Sequence, residues 1–314
     1  MTGGTLVTGA AGFVGSWLVP ALQAAGERVI GAGLPGSSPQ RPPDEWVELD
    51  LLDFARLRRM LSDKRPDRIV HLAALASPVL AAREPLAALR SNYRIVDGLL
   101  RAARDGAPDA RLLLVSSGEV YGYRPPHSPP HAETGPTNPH TLYAATRVAA
   151  ERRAQLAQAR DGLDVVLVRP FNHTGPGRGR DYAESSFARQ LARIERGRQA
   201  PRLRVGNLEA RRDYSDVRDV VEAYRLLLER AESGGVYNVA SGRARSLRSV
   251  MEHLIQSSTV RPEVTVDPEL YRPHADDRTE SCGDPRRLRE LGWSPRYALE
   301  DTLDELLDDW RSRG

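Results

Sequence analysis

The sequence predicts a doubly wound α/β fold on a parallel sheet, joined to a smaller α/β domain, and three observations predict it. Short apolar runs alternate with helical stretches through the first half, a glycine-rich turn follows the first run, and two irregular segments interrupt the alternation. Thr5-Leu6-Val7 reads as the first strand, and the stretch holding Trp17-Leu18-Val19 as the helix after it. Arg28-Val29-Ile30 and Trp46-Val47-Glu48-Leu49 read as the second and third strands. Arg68 to Leu72, Arg111 to Val115 and Val165 to Val168 continue the series. Strands buried on both faces show as continuous apolar runs, and helices between them imply right-handed crossovers.

The interruptions come later. Arg124 to His140 carries Pro125, Pro126, Pro129, Pro130, Pro136 and Pro139, which predicts an ordered or semi-ordered loop. After Phe171, Gly175-Pro176-Gly177-Arg178-Gly179-Arg180 leads into a helix near Phe187 to Arg198, and Val236 to Val239 returns to the sheet. At 314 residues the chain exceeds what one compact core usually fills. The expected division is 1–171 with 214–242 for the large domain, and 172–213 with 243–314 for the small one.

Composition excludes several classes. Hydrophobic residues at 40% and charged residues at 28% are ordinary globular values. No apolar run approaches the roughly 20 residues a membrane helix needs, so no membrane partner is expected. Met1 to Val7 enters a strand directly without the pattern of a secretory leader, and the expected location is the cytoplasm. The net charge of +3 is spread rather than striped, which argues against a nucleic-acid partner. Cys282 is the only cysteine, so an intramolecular disulfide and a multi-cysteine metal cage are excluded, and no metal site is expected. Its thiol reads as a buried spectator. Lys64 is the only lysine; every other Lys/Arg position is arginine.

Gly9-Ala10-Ala11-Gly12-Phe13-Val14-Gly15 spaces three glycines by three residues between the first strand and its helix. A tight turn, close approach of backbone to a pyrophosphate and close helix packing each ask for one of them, and the helix N-terminus supplies N–H groups to the anion. This is the Rossmann arrangement, with a purely structural turn as the plainer alternative. Asp50 is placed to accept from an adenine amino group, or equally to begin the next helix as a solvated acid. Ala73 and Ala74 are small where a dinucleotide must pass the fourth strand. The second strand ends in Gly33 or Leu34, where a carboxylate for the ribose hydroxyls is usual. Without that carboxylate a 2′-phosphate is admitted, and Arg41 on the next loop is a candidate to meet it. NADP(H) is therefore favoured over NAD(H).

Ser116-Ser117-Gly118-Glu119-Val120-Tyr121-Gly122 follows the fifth strand, and Tyr143-Ala144-Ala145-Thr146-Arg147 begins a helix running to about Arg160. Residues four apart share a helix face, so Arg147 can support a phenolate on Tyr143 and reach a ribose hydroxyl. Ser117 can orient a carbonyl or alcohol oxygen toward Tyr143.

The glycine turn, Ser117 before Val120-Tyr121-Gly122, Tyr143 with its partner at 147, and Arg169-Pro170-Phe171-Asn172 together resemble the extended short-chain dehydrogenase/reductase family, from Thr5 to about Trp310. Within it, Arg169 to Gly177 and Gly206-Asn207-Leu208-Glu209-Ala210-Arg211-Arg212-Asp213-Tyr214 are similar to the GDP-4-keto-6-deoxymannose reductases. The GDP-mannose 4,6-dehydratases share the Gly-Asn-Leu peptide. The resemblance implies that Gly9, Ala11, Gly12, Phe13, Val14 and Gly15 line the dinucleotide pyrophosphate. Around the rest of the cofactor it implies Arg41, Asp50, Leu51, Leu72, Ala73, Ala74, Asn92, Tyr143, Arg147 and Pro170. Ser117, Tyr143, Arg147 and Glu119 are the implied catalytic group, with Asn172, His173, Arg212 and Arg272 on the nucleotide sugar. A lone histidine such as His173 also reads as structural.

Arg147 departs from the family, which has lysine there. Either arginine drift has reached a working site, or the position has relaxed in a slow or non-redox protein. Glu119 is compatible with a dehydratase base as well as with a reductase. The function implied is NAD(P)H-dependent reduction of the C4 keto group of a GDP-4-keto-6-deoxyhexose to a GDP-6-deoxyhexose of the GDP-rhamnose type. A dehydratase or epimerase is the first alternative and a dinucleotide-binding sensor the second. A homodimer through helices near Leu86 to Ala103 and Leu142 to Leu156 is also implied.

Overall fold

The computed structural model describes residues 3–271 and 279–313. Its elements run β1 (Thr5–Thr8), α1 (Phe13–Ala24), β2 (Val29–Gly33), β3 (Glu45–Glu48), α2 (Phe54–Lys64), β4 (Arg68–His71), α3 (Pro78–Arg83), α4 (Pro85–Leu89), α5 (Ile95–Gly106), β5 (Arg111–Val115), α6 (Leu142–Asp161) and β6 (Val165–Pro170). They continue as β7 (Asn172–Thr174), α7 (Ala183–Glu195), β8 (Arg202–Val205), β9 (Arg211–Asp216), α8 (Val217–Arg230), β10 (Val236–Val239), β11 (Ala244–Ser246), α9 (Leu247–Ser257), β12 (Glu263–Val266), β13 (Glu280–Ser281), α10 (Arg286–Glu290) and α11 (Leu299–Ser312).

Seven parallel strands form the main sheet in the order β10-β6-β5-β4-β1-β2-β3. Side chains alternate across it. Leu6, Ile69, Leu112 and Leu167 face α2, α5 and α6, while Val7, Val70, Leu113 and Val166 face α1 and α8. The order reverses between β1 and β4, and the crevice outside the strand ends at such a switch point is where α/β sheets take their ligands. The apolar runs thus fold as the predicted doubly wound sheet.

A second sheet holds β11-β9-β13, with β7 also pairing β9, and β8 pairs β12 separately. Phe187, Leu191, Leu203, Tyr214, Met251 and Leu306 pack beneath them as a distinct core. β7 follows β6 after Phe171 alone, so Asn172 and His173 stand where the two sheets meet. The helix expected near Phe187 to Arg198 begins earlier, at Ala183, because Tyr182 holds an extended backbone that starts it there. The proline-rich loop is fastened by main-chain pairing: Arg124 exchanges hydrogen bonds with Glu280, and His131 N–H donates to the Cys282 carbonyl. Among the described residues no helix is long and apolar enough to cross a membrane.

Candidate active site

The glycine turn fits a dinucleotide. Gly9 has φ +72°, and a Cβ there would lie 2.8 Å from the Ala73 backbone nitrogen. At Gly15 a Cβ would stand 2.6 Å from backbone atoms of Gly9 and Ala10, so any side chain would push α1 off β1. Gly12 caps α1 without a side chain, and the first turn carries no acid. The opening N–H groups of a helix have no partner within it, and here nothing acidic competes for them. Ala11, Phe13 and Val14 are half-buried around this end. The cradle therefore matches a pyrophosphate in shape and charge.

Other predicted cofactor residues lie as follows. Leu72, Ala73 and Ala74 continue β4 beside Gly9, with the Leu72 N–H donating to the Thr8 carbonyl. Asn92 is fully buried in a π-helical turn between α4 and α5. Its amide accepts from Leu75 N–H and donates to the Leu75 carbonyl and Thr146 Oγ1, so the side chain braces the loop after β4. Asp50 is exposed and accepts from Leu52 N–H at 2.9 Å, while Leu51 is buried. Arg41 lies 4.5 Å from the Trp17 ring centroid, fastened to the second turn of α1. Pro170 ends β6, buried.

The missing carboxylate on β2 has a steric cause. A Cβ at Gly33 would stand 2.5 Å from the Trp46 ring, which fills that position from β3. A carboxylate nevertheless reaches this edge: Glu48, in register with Gly33, accepts from Gly36 N–H at 3.2 Å. Residue type alone does not reveal it, because the strand pairing that brings Glu48 there is tertiary.

Tyr143 and Arg147 come together as the spacing predicts. Thr141 caps α6 by accepting from Ala144 N–H, and Tyr143 lies in the first turn, 6% exposed. Arg147 is 4% exposed and its Nε reaches the Tyr143 hydroxyl at 3.5 Å, a long contact. This is its one side-chain hydrogen bond among the described residues. Ser117 opens a 3₁₀ turn over Gly118–Tyr121, accepting from Glu119 N–H at 3.1 Å, and α6 packs against that turn.

Beneath them runs a buried polar network that periodicity could not reveal. Ser116 Oγ donates to Glu151 at 2.5 Å, and Arg169 grips the same carboxylate at 3.0 and 2.6 Å. Arg169 also donates to Tyr121 Oη, which donates to Asn238. Burial works against the charge on Arg169, but the Glu151 carboxylate more than offsets it and raises the guanidinium pKa above its ordinary value. Arg169, a charge closing the apolar run Val165 to Val168, was the available signal. His71, at the end of β4, is tied through Nδ1 to Thr8 Oγ1; burial and then the Arg147 charge hold its pKa down to about 3.

On the substrate side, Asn172 pairs with Tyr214 across β7 and β9 and is half-buried. His173 Nδ1 contacts the Phe171 carbonyl at 3.0 Å, so this nitrogen carries the proton; burial, then Arg178, lowers its pKa to about 4. Arg212 is buried, donates to the Arg211 and Thr279 carbonyls and lies 4.7 Å from the Tyr123 ring centroid. Arg272 lies outside the described residues. Cys282 is buried with its thiol toward Asp213 at 3.4 Å, and burial pushes its pKa up.

A glycine cradle at the sheet's switch point, beside a buried tyrosine and cation one helical turn apart, defines a dinucleotide-dependent enzyme of the Rossmann type. The model of the NAD dependent epimerase/dehydratase family matches residues 5–240, and the chain belongs to that family. It is 34% identical to the GDP-6-deoxy-D-mannose reductase of Pseudomonas aeruginosa, over 100% of this chain and 99% of that protein. A UDP-glucose 4-epimerase of Mycolicibacterium smegmatis is 31% identical over 98% and 99%. Among solved structures, RMD from Pseudomonas aeruginosa complexed with NADPH superposes with a TM-score of 0.82, at 34% identity over 99% of this chain and 100% of that one. The Thermus thermophilus UDP-glucose 4-epimerase complex with NAD gives 0.88, at 28% identity over 99% of each.

Proposed function

We propose that the chain reduces the C4 keto group of a GDP-4-keto-6-deoxyhexose, giving a GDP-6-deoxyhexose of the GDP-rhamnose type. The observation that carries it is the buried Tyr143–Arg147 pair on α6, with Ser117 at the end of β5. The full-length likeness to a GDP-6-deoxy-D-mannose reductase supports this choice of sugar nucleotide. The cradle of Gly9, Gly12 and Gly15 would hold a nicotinamide dinucleotide, which supplies the hydride when bound.

Each protein group has a separate task. Ser117 donates to the carbonyl oxygen at C4 and fixes its direction. Tyr143 gives its proton to the oxygen as negative charge develops there. Arg147 stands where a positive charge favours the phenolate left behind, and its guanidinium would donate to the ribose of the bound dinucleotide. The Ser116–Glu151–Arg169 network holds the floor on which Ser117 sits. Asn172 and Arg212, with Arg272, would meet the sugar nucleotide, and Glu119 stands beside Ser117 without being required for proton removal from carbon.

NADP(H) is the proposed cofactor, in keeping with the NADPH complex of the similar reductase. The proposal includes a homodimer through α4, α5 and α6, where Leu86 is 69% exposed and Leu89 and Leu156 also face outward. It also includes a cytoplasmic setting, in keeping with a single buried thiol. The division at residues 171/172, 213/214 and 242/243 is retained as part of it. The test is incubation with GDP-4-keto-6-deoxymannose plus NADPH, and separately with GDP-mannose alone. NADPH consumption that depends on the keto sugar is expected. Keto-sugar formation from GDP-mannose without net redox would make it a dehydratase, and inertness in both would leave a binding protein.

A further inference from the structure

A cavity of about 300 Å³ opens between the turn after β10, β11 and the start of α11. The β11 side brings Arg243 and Arg245, the α11 side brings Tyr297, Leu299 and Glu300, and α10 adds Arg289. Each side is anchored by a buried carboxylate. Asp213, fully buried on β9, accepts from the Ser241 N–H and hydroxyl and from the Gly242 N–H, which fixes the turn leading to Arg243. Asp219 on α8, 2% exposed, accepts from the N–H groups of Arg296 and Tyr297, which fixes the approach to α11. Walls held in this way spare a ligand the cost of ordering them.

The lining is unbalanced in charge. Three guanidiniums against one carboxylate leave the side chains with a net +2. Arg245 meets Glu300 at 3.3 Å with both side chains about half exposed, a surface pair weak enough for an anion to displace. Arg289 donates only to the Ser241 carbonyl, and Arg243 has no side-chain partner among the described residues. The cavity shares no lining residue with the glycine cradle, nor with Ser117, Tyr143, Asn172 or Arg212. It also lies across β9 from the sugar-nucleotide side: β11 pairs one edge of that strand, and β13, next to the Thr279 that accepts from Arg212, pairs the other.

We propose that this cavity is a separate anion site that takes a phosphate group, free or as the monoester of a small sugar. Arg243, Arg245 and Arg289 donate to the phosphate oxygens, Glu300 gives up Arg245, and Tyr297 and Leu299 cover the carbon skeleton. The volume lies at the lower limit for small-molecule sites, which suits a sugar phosphate and excludes a dinucleotide. The inference depends on neither the dinucleotide nor the sugar nucleotide, and its test needs no turnover.

Isothermal titration calorimetry of the full chain at fixed ionic strength uses glucose 6-phosphate, inorganic phosphate and glucose as probes. Glucose 6-phosphate is expected to bind and glucose not to bind. The double variant Arg243→Gln/Arg289→Gln is expected to raise the glucose 6-phosphate constant about tenfold or more. Both arginines are exposed, so the double variant keeps its fold, which circular dichroism checks. Glu300→Gln removes the competing carboxylate and is expected to tighten glucose 6-phosphate about threefold. Structural damage does not tighten binding, so this arm decides the matter even if the double variant fails to fold. Inorganic phosphate that binds as tightly as the ester makes the free ion the ligand, and weaker binding makes it the ester; both support the site. No binding of either phosphate, glucose binding as tightly as its phosphate, an unchanged constant in the double variant, or no tightening by Glu300→Gln overturns the proposal.

Discussion

Replacing Arg169 by methionine tests the floor of the site. Arg169 is 4% and Glu151 2% exposed, and the two share a forked contact of 2.6 and 3.0 Å. Arg169→Met leaves the Glu151 carboxylate buried with only the Ser116 hydroxyl and strips Tyr121 of its donor. Removing one partner of a buried ion pair costs about 3–5 kcal/mol, because the remaining charge has no compensation. For a chain of this length that lowers the melting temperature by roughly 5–8 °C. Urea denaturation of wild type, Arg169→Met, and the double variant Glu151→Leu/Arg169→Met measures it. The double variant should recover part of the loss, since it removes both charges. A loss below about 1 kcal/mol in Arg169→Met would instead place the pair in effective contact with water and rule out a buried ion pair.

Three further outcomes are expected. Tyr143→Phe lowers kcat by about 10²–10⁴-fold while leaving NADPH affinity within about twofold, read by steady-state rates and fluorescence titration; a loss of affinity equal to the loss of rate would make the residue a binding group. Arg147→Lys restores the family's residue and leaves kcat unchanged or raises it, and abolished turnover would contradict the assigned role. His71 and His131 are neutral in the fold, with pKa values lowered to about 3 and about 4, chiefly by burial. Their unfolded forms bind protons first, so stability is full above pH about 6.5 and falls as pH drops from there toward about 4 and then about 3, by at most about 1.4 kcal/mol per pH unit for each. Urea midpoints between pH 7.5 and 4.5 follow this directly, and a flat profile would show that these rings take up protons while folded.

Much of the architecture was legible because local and tertiary demands agree. The runs at Leu6, Ile69, Leu112 and Val166 are apolar because both sheet faces are covered. Gly9 and Gly15 are glycines because backbone occupies the space of a side chain. Tyr143 and Arg147 were paired by helical spacing alone. The rest depends on contacts far apart in sequence. Gly33 lacks a carboxylate because Trp46 fills its place, Arg41 is held on Trp17, and Asn92 braces Leu75, none of which follows from residue type. Glu151 and Arg169 are separated by 18 residues and meet only once α6 and β6 are packed.

In the proposed reaction hydride passes to C4 of a GDP-linked keto sugar while Tyr143 protonates its oxygen. NADPH carrying deuterium at the transferable C4 position, with GDP-4-keto-6-deoxymannose and the intact protein, tests it by NMR of the product. One deuterium is expected at the sugar C4, from one face of the nicotinamide only, in a GDP-6-deoxyhexose of a single configuration. An unlabelled product, or label lost to solvent, would contradict it.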